Sequence, residues 1–185
     1  MRIVGGARRG RLLSAPPGRA VRPTSDRTRE ALFNILAHSP DVGRRLDGCR
    51  FLDAFAGTGA VAIEALSRGA EAAILIEQDK IALDTIRKNL AACQMETQAR
   101  IIAGDATKPP KAEAPCGVGY LDPPYASEAL VPALLALTAA GWFTPEAVVG
   151  LELARAATLT PPAGWRMAVD RHYGAARLVL LERQA

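Results

Sequence analysis

Arg50-Phe51-Leu52-Asp53-Ala54-Phe55-Ala56-Gly57-Thr58-Gly59-Ala60-Val61-Ala62-Ile63-Glu64-Ala65-Leu66 decides how the rest of the chain is read. Its first five residues are a short apolar strand carrying one carboxylate, Asp53. Two glycines follow at a bend, and the spacing then predicts a helix from about residue 59 to 68. Working outward, the same rhythm repeats. Residues 72–76 read as a strand, 80–93 as a helix, 99–103 and 118–121 as strands, 128–140 as a helix and 148–153 as a strand. Strands without polar alternation, joined by helices, predict an α/β fold whose mostly parallel sheet is covered on both faces. The rhythm changes at the end: 165–172 and 177–182, separated by Tyr173-Gly174, read as a closing β-hairpin.

The bend offers a ligand two things. Glycines let backbone approach without Cβ clashes, and the helix N-terminus presents unpaired N–H groups. Glu77 stands eighteen residues beyond Gly59 at the end of the second strand, where a carboxylate can accept from ribose hydroxyls. Ala62 completes a G-x-G-x-x-A pattern, so a nicotinamide cofactor has to be weighed. Asp53 opposes it: a carboxylate beside the glycines repels a pyrophosphate but attracts the ammonium group of S-adenosylmethionine. Asp105, after the third strand, is placed to accept from an adenine amino group. The cofactor set is therefore read as Asp53, Ala54, Phe55, Ala56, Gly57 and Gly59, with Glu77, Gln78, Asp105 and Ala106.

Asp122-Pro123-Pro124-Tyr125 follows the fourth strand. An exocyclic amine on a nucleic-acid base is nearly planar because its lone pair is delocalised into the ring. The Asp122 carboxylate and the Pro123 carbonyl can accept its two N–H bonds and favour a pyramidal, nucleophilic nitrogen. Consecutive prolines restrict the loop and keep both acceptors aimed. Tyr125 would stack on a base that is unpaired or flipped out. Asp122, Pro123, Pro124 and Tyr125 are thus the candidate catalytic residues of an amino-methyltransferase. The loop by itself does not distinguish guanine N2 from adenine N6.

Charge is concentrated at one end. Residues 1–30 hold eight arginines against Asp26 and Glu30, a net +6 in a chain of +4, so the remainder carries −2. A basic arm on a nearly neutral body suits a polyanion. Arg2-Ile3-Val4 and Arg11-Leu12-Leu13 read as two short strands, and a helix starts near Thr24-Ser25-Asp26 with Ala31, Leu32, Ile35 and Leu36 on one face.

With these blocks in view, the chain resembles the 16S ribosomal RNA guanine-N2 methyltransferases of the RsmD type. The resemblance covers nearly the whole length. It includes Arg2-Ile3-Val4-Gly5-Gly6, Arg9-Gly10-Arg11, Arg22-Pro23-Thr24, Asp26-Arg27, Arg29 to Asn34, Asp53 to Gly59, Glu64 to Ala70, Glu77, Asp105 and Asp122 to Tyr125. It implies a Rossmann-like class I methyltransferase with a seven-stranded sheet whose last strand is antiparallel, plus an N-terminal β-hairpin and helix. Residues 1–45 would form an RNA-docking appendage and 46–185 the S-adenosylmethionine-dependent domain. It further implies an unpaired guanine of 16S rRNA in the small ribosomal subunit as substrate. Arg8, Arg9, Arg11, Arg22 and Arg27 are the candidate RNA contacts.

Other classes are disfavoured. Three widely spaced cysteines and two histidines do not make a zinc site and read as free thiols. No apolar h-region or membrane-length run is evident, so a cytoplasmic protein without a membrane partner is expected. A monomer is expected separately, since the sequence does not itself fix the oligomeric state. A DNA adenine or cytosine amino-methyltransferase would need a larger sequence-reading region. A protein glutamine methyltransferase does not call for the arginine-rich arm, and a non-catalytic assembly factor would tolerate loss of Asp53, Glu77 or Asp122.

Overall fold

The computed structural model describes residues 1–15, 26–42, 45–123 and 128–184. Its strands and helices alternate as β1 (Arg50–Ala54), α2 (Ala60–Ser67), β2 (Ala72–Glu77), α3 (Lys80–Cys93), β3 (Ala99–Ala103), β4 (Cys116–Leu121), α4 (Leu130–Ala139) and β5 (Phe143–Ala154). The strands β6 (Trp165–Tyr173) and β7 (Ala176–Arg183) close the chain, and α1 (Asp26–His38) precedes β1. Among the described residues these build one seven-stranded sheet of order β3-β2-β1-β4-β5-β7-β6. Strands β1 to β5 pair in parallel, while β7 runs antiparallel to both β5 and β6. The expected α/β sheet with a reversed last strand is therefore present.

The strand order reverses between β1 and β4. From β1 the chain moves outward through β2 to β3, then returns to place β4 on the other side of β1. A crevice opens outside the carboxyl ends of the strands at such a reversal, where ligands of open α/β sheets collect. Register puts Asp53 beside Tyr120 and Ala54 beside Leu121, so the glycine bend and Asp122 emerge side by side.

Both faces of the sheet are covered. One core holds Phe51, Val61, Ile63, Leu75, Ile86 and Leu180 and also takes in Ile3, Leu13, Leu32, Phe33 and Leu36 from the N-terminal segment. The other holds Leu52, Ile76, Leu121, Leu134, Trp142 and Val179. Helix α1 comes close to the sheet at Gly150, where a Cβ would lie 2.9 Å from Leu32 Cδ1.

Two polar residues anchor the N-terminal segment from within the helices. Glu64 lies on the wholly buried α2 and is itself 0% exposed. Its Oε2 accepts from the Val4 amide at 2.8 Å, and its Oε1 from Arg68 Nε at 2.7 Å. The Arg29 guanidinium, also 0% exposed, stands 3.6 Å from Glu64 and donates to the Arg2 carbonyl (2.5 Å) and to Asp26 (2.8 Å). The Arg68 guanidinium in turn covers the Phe33 ring, 5.3 Å from its centroid.

The structure departs from the sequence reading in a few places. The two N-terminal strands contract to one antiparallel bridge, Arg2 to Leu12, around a 3-10 turn at Gly6–Arg8. Here Gly6 has φ +75°, and a Cβ would meet the Ser67 carbonyl, so the segment is moulded to the end of α2. Strand β5 begins at Phe143, five residues early. Phe143-Thr144-Pro145-Glu146 looks like a loop in sequence, but Cys116 pairs with Phe143 and a register shift before Val118 absorbs the irregularity. The anticipated cap residues Thr24 and Ser25 lie outside the described residues. Cys49, Cys93 and Cys116 are free thiols, and burial pushes Cys49 up to about 12 and Cys116 to about 11.

Removing Glu64 leaves Arg29 buried with its countercharge reduced. Glu64→Ala should cost about 3–5 kcal/mol in urea unfolding, as for other broken buried pairs. Arg29→Met should cost less, because Glu64 keeps Arg68 and the Val4 amide. An equal or larger loss in Arg29→Met would contradict this account.

Candidate active site

Asp53 occupies the penultimate position of β1 and is 2% exposed. Its Oδ2 accepts from the Ala62 amide at 3.0 Å, in the first turn of α2, so the carboxylate sits where the helix presents free N–H groups. Burial nevertheless pushes its carboxyl well above the ordinary aspartate value. The Ala62 hydrogen bond pulls the other way, and the neighbouring charges of Asp122 and Glu77 push it further up. Carboxylates at the carboxyl ends of β2 and β4, the strands on either side of β1, thus lie close enough to act on Asp53.

The bend that follows is held by β2: the amides of Phe55 and Ala56 both donate to the Ile76 carbonyl at 3.0 Å. Phe55 has φ 68° and Gly57 φ 56°. A left-handed conformation at a phenylalanine is uncommon and belongs with sites where backbone geometry serves a ligand. Ala54 and Ala56 are buried, and Phe55 and Gly57 are partly open. Gly59 has φ +75°, and a Cβ there would press on Leu75 and Ile86 at 3.1 and 3.3 Å.

Glu77 ends β2 and organises the backbone around it. Its Oε2 accepts from the Gly57 amide, and its Oε1 from the amides of Gln78 and Asp79, each at 2.8 Å. A carboxylate has about four acceptor positions. Three are in use, which leaves Glu77 able to receive one hydroxyl without surrendering a bond. Gln78 is exposed. After β3, Asp105 Oδ1 accepts from the Thr107 amide and hydroxyl, both at 2.8 Å, which holds its carboxyl below the ordinary value. Ala106 beside it is buried.

Asp122 and Pro123 directly follow β4, Asp122 half-buried and Pro123 buried. Their neighbours Pro124 and Tyr125 lie outside the described residues, as does Arg22. Arg8 and Arg11 are tied to the end of α3: Arg8 Nε donates to the Cys93 carbonyl (2.8 Å) and Arg11 Nε to that of Ala92 (2.7 Å). Positive charge at a helix C-terminus is favourable. Arg9 and Arg27 are exposed.

Asn89 was not anticipated as a site residue. It is 1% exposed on α3. Its Nδ2 donates to the Thr58 carbonyl (2.9 Å) and the Ser14 carbonyl (3.1 Å), and its Oδ1 accepts from the Ser14 amide (2.8 Å). The glycine bend and the N-terminal segment therefore share one anchor. A polar residue in the apolar stripe Ala82, Ile86, Leu90, Cys93 was the signal available in the sequence. Among the described residues no group of His, Cys, Asp and Glu could hold a metal, and no helix is long and apolar enough to cross a membrane.

Sheet order, glycine bend and carboxylate-tipped strands define a class I methyltransferase fold, which the solved structures bear out. The Escherichia coli protein yhhF superposes with a TM-score of 0.85 at 34% identity, covering 100% of this chain and 98% of that one. An RNA methyltransferase from Salinibacter ruber, solved with S-adenosyl-L-homocysteine, shares the fold at TM-score 0.64 and 16% identity over 88% of this chain and 94% of that one. The chain belongs to the family described as Conserved hypothetical protein 95, the RsmD family, whose model matches residues 1–182. Among its relatives, the ribosomal RNA small subunit methyltransferase D of E. coli K12 is 35% identical over 187 residues, covering 100% of this chain and 91% of the relative. That of Haemophilus influenzae is 33% identical over 179 residues, covering 94% and 89%.

Asp53 yields a pH prediction. The native state binds its proton more tightly than the unfolded chain, whose aspartates titrate near about 3.9. Stability from this group is thus lost as pH rises from that value through the raised native one. Asp53→Asn keeps the acceptor for Ala62 and removes the charge. At pH 7 it should stabilise the ligand-free protein by about 1–3 kcal/mol, the scale of an uncompensated buried polar group. The gain should vanish below about pH 4; thermal unfolding across that range measures it, and a gain independent of pH would contradict the assignment.

Proposed function

We propose that this protein is an S-adenosylmethionine-dependent rRNA methyltransferase that modifies the N2 amino group of a guanine in 16S rRNA. The observation that carries the reading is the adjacency of Asp53 with the glycine bend and Asp122 with Pro123, on paired strands at the reversal of strand order. The full-length match to small-subunit rRNA methyltransferases supports the substrate class.

The residues present fit the cofactor. Its ammonium group beside Asp53 would provide the countercharge that burial withholds, and Glu77 has capacity for a ribose hydroxyl. Asp105 Oδ2 carries no bond among the described residues and could receive an adenine amine. Ala54, Phe55, Ala56, Gly57, Gly59, Gln78 and Ala106 would line the same edge. When bound, the cofactor supplies an electrophilic methyl group on a sulfonium.

The chain's own work is done at the amine. Asp122 and the Pro123 carbonyl accept its two N–H bonds and localise the nitrogen lone pair, with Pro124 stiffening the loop and Tyr125 stacking on the base. Positive charge developing on the attacking amine would lie beside Asp122, where a preorganised carboxylate would stabilise it. The same carboxylate is placed to take the proton that the amine then sheds.

On this reading residues 1–45 dock the RNA. Arg8 and Arg11, anchored on α3, would offer the RNA positive charge together with Arg9, and Arg22 and Arg27 are further candidate contacts. The protein acts as a cytoplasmic monomer on the small subunit.

Calorimetry and turnover together test the division of roles. Asp122→Ala should bind S-adenosylmethionine within about threefold of wild type while kcat falls about 10²–10³-fold, the cost of losing one preorganised polar group at a reacting centre. Asp53→Asn should instead weaken cofactor binding by about tenfold or more, equal to about 1.4 kcal/mol. Equal turnover in Asp122→Ala would remove the proposed acceptor.

A further inference from the structure

Glu152 has no part in the chemistry described so far, yet it stands next to it. On β5 the last register pair with β4 is Leu121 to Leu151, so the next positions along these neighbouring strands are Asp122 and Glu152. Parallel strands run about 4.8 Å apart. Side chains alternate between faces, so Glu152 shares a face with Gly150, where Tyr120 packs. The Tyr120 hydroxyl donates to Glu152 Oε2 at 2.7 Å. Tyr120 is itself 1% exposed and embedded in the core, so the carboxylate is held from below by a rigid donor. Glu152 is half-buried between Leu151 and Leu153, which are 0% and 7% exposed. It lies beyond Asp122 on the side away from β1, β2 and the glycine bend.

We infer that Glu152 is a specificity-determining residue that selects guanine by accepting its N1–H while Asp122 and Pro123 hold the adjacent N2 amine. The inference rests on the reading that this site alkylates a base amine. Its logic is the pattern of donors beside that amine. In guanine one of the two ring nitrogens flanking the exocyclic amine, N1, carries a hydrogen. In adenine and cytosine the corresponding nitrogen is a bare acceptor. A carboxylate fixed there completes a hydrogen bond with guanine and sets acceptor against acceptor for the other two. Specificity of this kind combines a contact with the right base and a repulsion against the wrong ones. It also supplies what the Asp-Pro-Pro-Tyr loop lacks, since the loop treats all exocyclic amines alike.

The test uses 2-aminopurine, which keeps the N2 amine of guanine but has a bare N1. The nucleotide methylated by the wild-type protein is first located in undermodified small subunits by nucleoside mapping. Subunits are then reconstituted with guanine or 2-aminopurine at that nucleotide. Wild type should prefer guanine by at least about 100-fold in kcat/KM, a conservative floor beneath the roughly 10⁴-fold reached by sites built to hydrogen-bond their substrate. Glu152→Gln keeps an acceptor for Tyr120 and can also donate to a bare N1, so its preference should shrink to below about tenfold. Its affinity for S-adenosylmethionine and its melting temperature should stay at wild-type values. Glu146→Gln, an exposed change on the same strand, should leave the preference intact.

An unchanged preference in Glu152→Gln, or no preference in wild type, would overturn the inference. Methylation of adenine or cytosine by wild type would overturn it while leaving a base-amine methyltransferase standing. Transfer to no RNA at all would overturn both.

Discussion

The parallel pairing of β1 with β4 is the constraint on which the rest of this molecule depends. Phe51 lies beside Val118, and the register carries through to Ala54 and Leu121. Residues from distant parts of the chain therefore leave the sheet together. Because the strand order reverses here, a crevice opens outside the carboxyl ends of the two strands. A bound molecule can touch the glycine bend and Asp122 at once. The arrangement brings like charges together: burial pushes the Asp53 carboxyl up, and the neighbouring charges of Asp122 and Glu77 push it further.

The N-terminal segment is joined to this frame by polar contacts placed inside apolar surroundings. Glu64 and Arg29 bind its backbone on one side, and Asn89 binds Ser14 on the other. Asn89 also holds the Thr58 carbonyl of the glycine bend. The segment that carries the arginines is thus rigidly referenced to the segment that shapes the cofactor edge. Partly satisfied buried networks are costly, and well-satisfied ones specify a single geometry. Arg8 and Arg11 both cap the C-terminal end of α3 through their Nε groups.

Much of the fold was legible in the sequence because its periodicities are strong and its turns carry glycine or proline. The strand at 50–54 and the helix at 80–93 were read with the boundaries they have in the structure. Candidate site residues could be proposed from sequence where a residue type is tied to a position, as with Asp53 before the glycines, Glu77 at the next strand end and Asp122 before the prolines. What escaped depends on distance in sequence. The partners of Glu64 lie sixty residues away at Val4, and those of Asn89 at Ser14 and Thr58. No local pattern encodes such pairings; only a polar residue on a buried helix face hints at them. The start of β5 escaped for the same reason, since Phe143 becomes a strand residue through Cys116. Glu152 reads as an ordinary strand-end acid until the register sets it beside Asp122.

The most direct measurement of the central claim is transfer of labelled methyl from S-adenosylmethionine to undermodified small subunits, followed by nucleoside analysis of the rRNA. The account predicts label in N2-methylguanosine at one nucleotide of 16S rRNA, abolished in Asp122→Ala although that variant still binds the cofactor. Label in ribosomal protein, or equal N2-methylguanosine from Asp122→Ala, would contradict it.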